Sequence, residues 1–379
     1  MNTQLKEFQD HLLKCKKIVA LVGAGLLASS GLPVFRGSQG LWKNYNMIDL
    51  ATPDAFYVDP GLVWQFYSWR RYAALQAKPN RGHLALAKLS KLCRSNGTSN
   101  RGESENKGDD KNIMNECKEQ EKDRNRGQIN SPSFKFVTIT QNVDGLSSRS
   151  EHDLQSLYEI HGSLFTLKCT SFMCNYVEKN NFKQPLTKAL KDTEFEYKRL
   201  NRKRSREEEE LGRIDQQQDK ENKENEVGDN AIHAASVITS LADNMDVMSS
   251  TSASLSPQFL PVKTISEKDL PRCPVCSELL RPGVVWFGES LPLDVITKID
   301  NFIEEDGPVD LILVIGTSGT VYPANSYVER VKYQGGKVAI FNTDIDSRVE
   351  QGKVKDSWGF KGDAAELLPL ALEPLIGKV

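Results

Sequence analysis

Four stretches of the chain are apolar at nearly every position and then stop abruptly at small or polar residues. "KKIVALV" (16–22) runs into Gly23-Ala24-Gly25, and "FKFVTIT" (134–140) into Gln141-Asn142-Val143-Asp144-Gly145. "VDLILVI" (309–315) runs into Gly316-Thr317-Ser318, and "GKVAIF" (336–341) into Asn342-Thr343-Asp344. Strands with both faces buried read as continuous hydrophobic runs, so the pattern predicts an α/β fold with a parallel sheet covered by helices. In such sheets ligands bind beyond the carboxyl ends of the strands, where the strand order reverses. Before the first run, "MNTQLKEFQDHLLKCKK" has the spacing of an amphipathic helix leading directly into a strand.

Two blocks lack any apolar pattern. Residues 94–131 are almost entirely Asn, Gly, Ser and charged side chains; residues 194–257 carry "RKRSREEEE", "QQQDKENKENE" and a Ser-rich tract. Such segments cannot bury enough surface to offset ordering entropy, so both are expected to be disordered insertions. Without them 277 of the 379 residues remain, a size suited to a compact two-lobed enzyme. "NRKRSR" could be read as a nuclear import signal, but the acidic run that follows favours a solvated linker.

Charge and cysteine usage narrow the class. A formal net charge of −2 gives no global field for nucleic acid or an anionic membrane. No apolar run is long enough to cross a bilayer, no secretory h-region opens the chain, and Glu7 and Asp10 suit an arginine-rich transit peptide poorly. Seven cysteines, an odd number, point to reduced thiols. Four of them form two pairs, Cys169/Cys174 in "CTSFMC" and Cys273/Cys276 in "CPVC". These read as a four-thiolate zinc site, structural because no coordination position stays open, with a redox or DNA-binding ribbon as the alternative. The long gap between the pairs holds an insertion and costs little, because loop-closure entropy grows slowly with length. Cys15, Cys93 and Cys117 lack partners at ligand spacing.

Two further stretches carry candidate chemistry. "GAGLLASSGLPVFRG" puts glycines where a backbone could approach a phosphate, but the spacing is not G-x-G-x-x-G and no acid follows at ribose distance. An ordinary hydride-transfer dehydrogenase is therefore disfavoured, and Phe35-Arg36 is expected to close over a nucleotide. "FYSWRRY" (66–72), if helical, sets Tyr67 and Arg70 one turn apart on one face, with Arg71 turned elsewhere and expected at the surface.

Taken together, "GAGLLASSGLPVFRG", "TQNVDGL", "EIHGSLF", the two cysteine pairs, "LRPGVVWFGE", "GTSGTVYPA", "FNTD" and "GDAAEL" resemble, in this order, the sirtuins, NAD-dependent protein lysine deacylases. Residues 49–75, with their Tyr-x-x-Arg, resemble the class III branch, which removes acidic acyl groups. The resemblance covers nearly the whole chain outside the insertions, and departures fall at Leu27, Val34 and Ser147, outside the proposed catalytic positions.

The resemblance implies one sirtuin-type domain over residues 1–379. Its Rossmann-like lobe would comprise 1–45, 80–160 and 308–379, and its small helical and zinc-binding lobe 46–79 and 161–307. It implies that Gly23, Ala24, Gly25, Phe35, Arg36, Trp42, Gln141, Asn142, Val143, Asp144, Gly316, Thr317, Ser318, Asn342, Thr343, Asp344 and Ala364 bind NAD, with Asn142 and Asp144 at the nicotinamide end. His161 would be the catalytic base that deprotonates a ribose hydroxyl, an imidazole titrating in the right range. Products would be free lysine, nicotinamide and acyl-ADP-ribose. Tyr67, Arg70 and a wide-pocket Ala51 would select succinyl, malonyl or glutaryl lysine. Val285, Trp286, Phe287 and Gly288, in an edge strand "VVWFGE" facing 320–322, would accept the substrate peptide by strand addition. Expected partners are acylated lysines of other proteins and one structural Zn2+. The chain is expected to act as a monomer, without nucleic acid or membrane, in cytosol or mitochondrial matrix, with the nucleus open. Protein mono-ADP-ribosyl transfer and a non-catalytic scaffold are the alternatives to the deacylase reading.

Overall fold

A computed structural model describes residues 2–34, 41–97, 134–193, 262–317, 319 and 324–379. The bulk of both insertions, together with Phe35, Arg36, Cys117, Ser318 and residues 320–323, lies outside the described residues. The strands, in chain order, are β1 (Lys17–Val22), β2 (Leu41–Trp42), β3 (Tyr45–Asn46), β4 (Lys135–Thr140), β5 (Leu157–Glu159) and β6 (Gly162–Cys169). They continue with β7 (Val177–Glu178), β8 (Leu280–Val284), β9 (Leu311–Ile315), β10 (Lys337–Asn342) and β11 (Ser357–Lys361).

All four continuous apolar runs are strands of one parallel sheet, in the order β11-β10-β9-β1-β4-β5. Its central strands alternate between two cores, as a pleat requires. Ile18, Ala20 and Val22 of β1 and Leu311, Leu313 and Ile315 of β9 pack on one face with helices Asn2–Leu12, Arg81–Gly97 and Ala364–Ile376. Val19, Leu21, Ile312 and Val314 pack on the other face with Ile299 and Ile303 of helix Leu293–Glu304 and with Val328 and Val331 of helix Ser326–Tyr333. Truncating one of the buried Leu or Ile side chains here to Ala costs about 2–5 kcal/mol. From β1 the chain builds outward through β4 and β5, then returns to the other side of β1 for β9, β10 and β11. The order therefore reverses between β1 and β9.

Two sequence expectations need adjusting. Helix Arg81–Gly97 runs four residues into the block from 94 that was read as disordered. Residues 293–304, grouped with the small lobe, cover the large sheet.

The smaller unit is an antiparallel sheet, β7-β6-β8, packed on helix Pro60–Gln76 around an aromatic cluster of Trp42, Trp64, Phe66, Tyr67, Trp69 and Trp286. Local sequence starts its helices: Thr52 and Asp59 accept from the Ala55 and Leu62 N–H groups, each followed by a proline that has no N–H to lose.

Lys17 breaks the apolar pattern of β1. It is 4% exposed, and its Nζ donates to the carbonyls of Ile303 (3.3 Å), Glu305 (2.5 Å) and Gly307 (2.6 Å) at the end of helix Leu293–Glu304. Three carbonyls share one ammonium, so Lys17→Met, which keeps the length and removes the charge, takes this donor from all three. A loss of about 1–3 kcal/mol in unfolding free energy is expected. An unchanged urea midpoint would show that the carbonyls find water instead.

Candidate active site

At the reversal between β1 and β9, the turns that follow the two strands are pressed together. The Gly23 N–H donates to the Ile315 carbonyl (2.8 Å) and the Gly25 N–H to the Gly316 carbonyl (2.7 Å). A Cβ on Gly25 would lie 2.6 Å from the Gly316 Cα, and one on Gly23 2.7 Å from the Thr317 Cβ. Gly316 itself has φ +59. The glycines are thus demanded first by backbone meeting backbone. The end of β10 joins this group: Asn342 Nδ2 donates to the Thr317 carbonyl (3.1 Å), and its Oδ1 accepts from the Thr343 N–H (2.9 Å). Ala364 opens the helix capped by Asp363, whose Oδ1 also accepts from Ser29 Oγ at 2.6 Å.

The end of β4 supplies the polar part of the crevice. The Gln141 N–H pairs with the Val22 carbonyl (2.9 Å), continuing the sheet by one bond, and Asn142 Nδ2 donates to the Gly23 carbonyl (3.0 Å). The Val143 carbonyl accepts from the Leu164 N–H (2.9 Å), which ties this loop to β6. Asp144 is 5% exposed; its Oδ1 takes the Leu146 N–H at 2.7 Å, while Oδ2 has no hydrogen-bond partner among the described residues. Burial raises the Asp144 carboxyl above the ordinary range, opposed by backbone N–H groups and by the charges of Arg70 and Arg149. Glu159, at the end of β5, is pushed up to about 7 by burial and by the nearby Asp144 charge.

His161 lies between β5 of the large sheet and β6 of the small one. Gly162, at φ +73, makes the crossing possible, because a Cβ there would come 2.2 Å from the Gly283 carbonyl oxygen. The His161 Nδ1 is 2.9 Å from the Gln141 carbonyl. A carbonyl can only accept, so the neutral ring carries its proton on Nδ1 and keeps the Nε2 lone pair. Burial lowers the His161 pKa below its ordinary value, with the Gln141 bond opposing the shift.

On helix Pro60–Gln76, Tyr67 is 1% exposed and accepts from the Trp286 indole Nε1–H at 2.9 Å. The half-buried Arg70 guanidinium lies 5.8 Å from the Tyr67 ring centroid, within hydrogen-bonding reach of its hydroxyl. Burial holds the Arg70 pKa down, countered by Tyr67 and Asp144. Ala51 is buried, its carbonyl accepting from the Phe287 N–H at 2.9 Å.

Three expectations change here. Arg71, expected at the surface, is 0% exposed and donates to the carbonyls of Leu164, Asn181 and Lys183 and to Asn181 Oδ1. One residue along a helix turns the side chain by about 100°, which here aims it into the small lobe. The expected edge strand "VVWFGE" is a strand only at Val284. Glu289 Oε2 takes the Trp286 N–H (2.8 Å), Gly288 adopts φ +88, and the Val285 and Phe287 N–H groups go to His161 and Ala51. Trp42, expected at the cofactor, is 2% exposed and packed between Phe66 and Trp69.

A pattern described as the Sir2 family matches residues 23–101, 125–206 and 215–323. The chain belongs to the Sir2 family. It is similar to a protein of Candida albicans named NAD-dependent protein deacylase, 62% identical over 380 residues and 100% of both chains. It also resembles a zebrafish protein (Danio rerio) named NAD-dependent protein deacylase sirtuin-5, mitochondrial, 32% identical over 98% of this chain and 87% of the other. Among solved structures, a Sir2 homolog–NAD complex aligns with TM-score 0.58 and 27% identity over 98% of this chain and 93% of that one. The class III resemblance agrees with these relatives.

The four paired cysteines of this Sir2-family chain converge. Their sulfurs all lie within 4.8 Å of one another, with Cys169 and Cys276 at 3.4 Å and Cys174 and Cys273 at 3.7 Å. Tetrahedral Zn–S bonds of about 2.3 Å put sulfurs roughly 3.8 Å apart, so the cluster fits a structural zinc ion. Ser277 at φ +65 shapes the second knuckle, its N–H donating to the Cys273 carbonyl at 2.9 Å. Sequence reasoning missed Arg281 and Glu289. They pair through two bonds of 2.5 and 2.9 Å, and no local signal joins residues eight apart across a strand end.

Two outcomes follow for this sirtuin. Replacing Cys273 with Ser, or stripping the metal with a strong chelator, should release one zinc per chain and lower the melting temperature by several degrees. A melting curve unmoved by chelation would contradict a structural ion. Because burial favours the neutral imidazole, a base at His161 would be present above its lowered pKa and lost as pH falls through it. The acid limb of kcat/KM should therefore have its midpoint below 6.5, and Glu159→Gln should leave that limb in place. A midpoint above 6.5 would mean that another group limits the reaction.

Proposed function

We propose that this NAD-dependent protein deacylase acts on lysines carrying acidic acyl groups, succinyl, malonyl or glutaryl, and that His161 is its base. NAD fits the residues present: the buried Asp144 Oδ2 has no donor among the described residues and can accept the N–H of a carboxamide. Asn142 and Asp144 would hold the nicotinamide end. Gly316, Thr317, Asn342, Thr343, Asp344 and Ala364 would hold the adenosine side, with Gly23, Ala24 and Gly25 between. Bound NAD supplies the ribose carbon that the acyl oxygen attacks as nicotinamide leaves.

His161 contributes a proton acceptor. Its Nδ1–H is committed to the Gln141 carbonyl, so Nε2 is the nitrogen that would take a ribose hydroxyl proton. His161→Ala should lower turnover by about 10²–10⁴, the usual worth of a positioned base.

The observation that carries the acyl assignment is a half-buried guanidinium held beside a fully buried phenol, both on helix Pro60–Gln76 and close to Asp144. An acyl carboxylate can take charge-assisted hydrogen bonds from the Arg70 guanidinium, whereas an acetyl methyl offers it nothing. The relatives named sirtuin-5 support the same branch, and their names place them in mitochondria. We extend that compartment, with the cytosol, to this chain as part of the proposal, and we take the monomer as the working unit.

Nicotinamide release measured on matched succinyl- and acetyl-lysine peptides tests the reading. Wild type should favour succinyl, and Arg70→Met should lose roughly ten- to a hundredfold on it, the worth of one or two charge-assisted hydrogen bonds. Retention of the succinyl preference by Arg70→Met would refute the pocket. Label transferred from NAD to protein with the peptide untouched would favour ADP-ribosyl transfer.

A further inference from the structure

Among the described residues, two groups meet the Tyr67 oxygen, and both can only give protons. The Trp286 indole Nε1–H donates to it at 2.9 Å, and the Arg70 guanidinium lies within hydrogen-bonding reach. A phenol has one proton and two lone pairs, and neither an indole N–H nor a guanidinium can accept. With its lone pairs turned to these donors, the hydroxyl has only its own proton to offer. Burial keeps that proton in place, pushing the Tyr67 pKa up to about 12.

Trp286 is itself held from three sides. The Arg281 guanidinium lies over its ring, 3.5 Å from the centroid, and the Phe56 ring is at 5.3 Å. Its backbone N–H goes to Glu289 Oε2 at 2.8 Å, and the same carboxylate receives both Arg281 bonds. The indole, 3% exposed, has little freedom to turn its N–H away from Tyr67.

We infer that Trp286 is a positioning residue for acyl selection, its indole N–H fixing the Tyr67 hydroxyl as a dedicated donor to the acyl end. This rests on the acidic-acyl reading and goes beyond it. Such a pocket admits a terminal group that only accepts. A carboxylate does so at both oxygens, whereas the carboxamide of the same shape would turn an NH2 group toward donors. Discrimination therefore extends to neutral isosteres, and it depends on a residue that contributes no charge.

The test uses full-length protein and three peptides differing only at one lysine: succinyl, its carboxamide analogue succinamyl, and acetyl. Trp286→Phe keeps the ring and loses the N–H. It should lower the succinyl-to-acetyl ratio of kcat/KM roughly fivefold to tenfold, mainly through KM, and narrow the gap between succinyl and succinamyl. In a Tyr67→Phe background the same substitution should change the ratio no further. A ratio within twofold of wild type, or an equal loss in the Tyr67→Phe background, would overturn the inference, leaving Trp286 as packing only. If Trp286→Phe does not fold, Arg281→Lys, which keeps the charge and loses the flat group over the indole, should lower the ratio severalfold, and an unchanged ratio would again overturn it. Wild type without succinyl preference would refute the acidic-acyl reading itself, before any variant is measured.

Discussion

One hydrogen bond, from His161 Nδ1–H to the Gln141 carbonyl, carries much of the site's organisation. Gln141 directly follows β4 of the large sheet, and His161 stands at the step from that sheet into β6 of the small one. The bond therefore fixes the ring's tautomer and ties the strand-end loop to the crossing between lobes. Gly162 makes the approach possible, and the Val285 N–H closes it by donating to the His161 carbonyl at 2.8 Å. An imidazole whose tautomer is set by backbone does not need a carboxylate partner, which suits a site already carrying the buried Asp144 and the half-buried Glu159.

The acyl side is built by the same economy of position. Helix Pro60–Gln76 presents Tyr67 and Arg70 to the crevice, while Arg71 anchors the opposite side to the carbonyls of Leu164, Asn181 and Lys183. Ser68 and Gln65 add bonds to Gln184 and to the Lys263 carbonyl, so the helix cannot rotate without breaking buried polar contacts. Two adjacent arginines thus have different settings, Arg70 beside Tyr67 and Arg71 spent on the frame. The cysteine cluster, which fits a structural zinc ion, braces the far end of β6 and β8.

How far the sequence could be read follows from the range of the interactions involved. The four central strands were legible because burial on both faces leaves an unbroken apolar run, and the cysteines because metal geometry demands pairs at short spacing. The fate of Arg71 was not, because its partners lie 93 to 112 residues away and nothing local distinguishes a buried guanidinium from a wet one. The "VVWFGE" run looked like strand by composition. What ends it is a carboxylate three residues on that captures the Trp286 N–H, an event invisible to periodicity. Trp42 sat in a motif-bearing stretch, yet the aromatic cluster claimed it for the core.

The most direct test of this arrangement is the tautomer of His161 in the free enzyme, read from long-range ¹H–¹⁵N correlation of histidine-labelled protein at a pH where the ring is neutral. The account predicts a protonated, pyrrole-type Nδ1 and a pyridine-type Nε2. The opposite assignment, with the proton on Nε2, would mean that the Gln141 carbonyl does not hold the ring and that the nitrogen assigned as base has no lone pair to use.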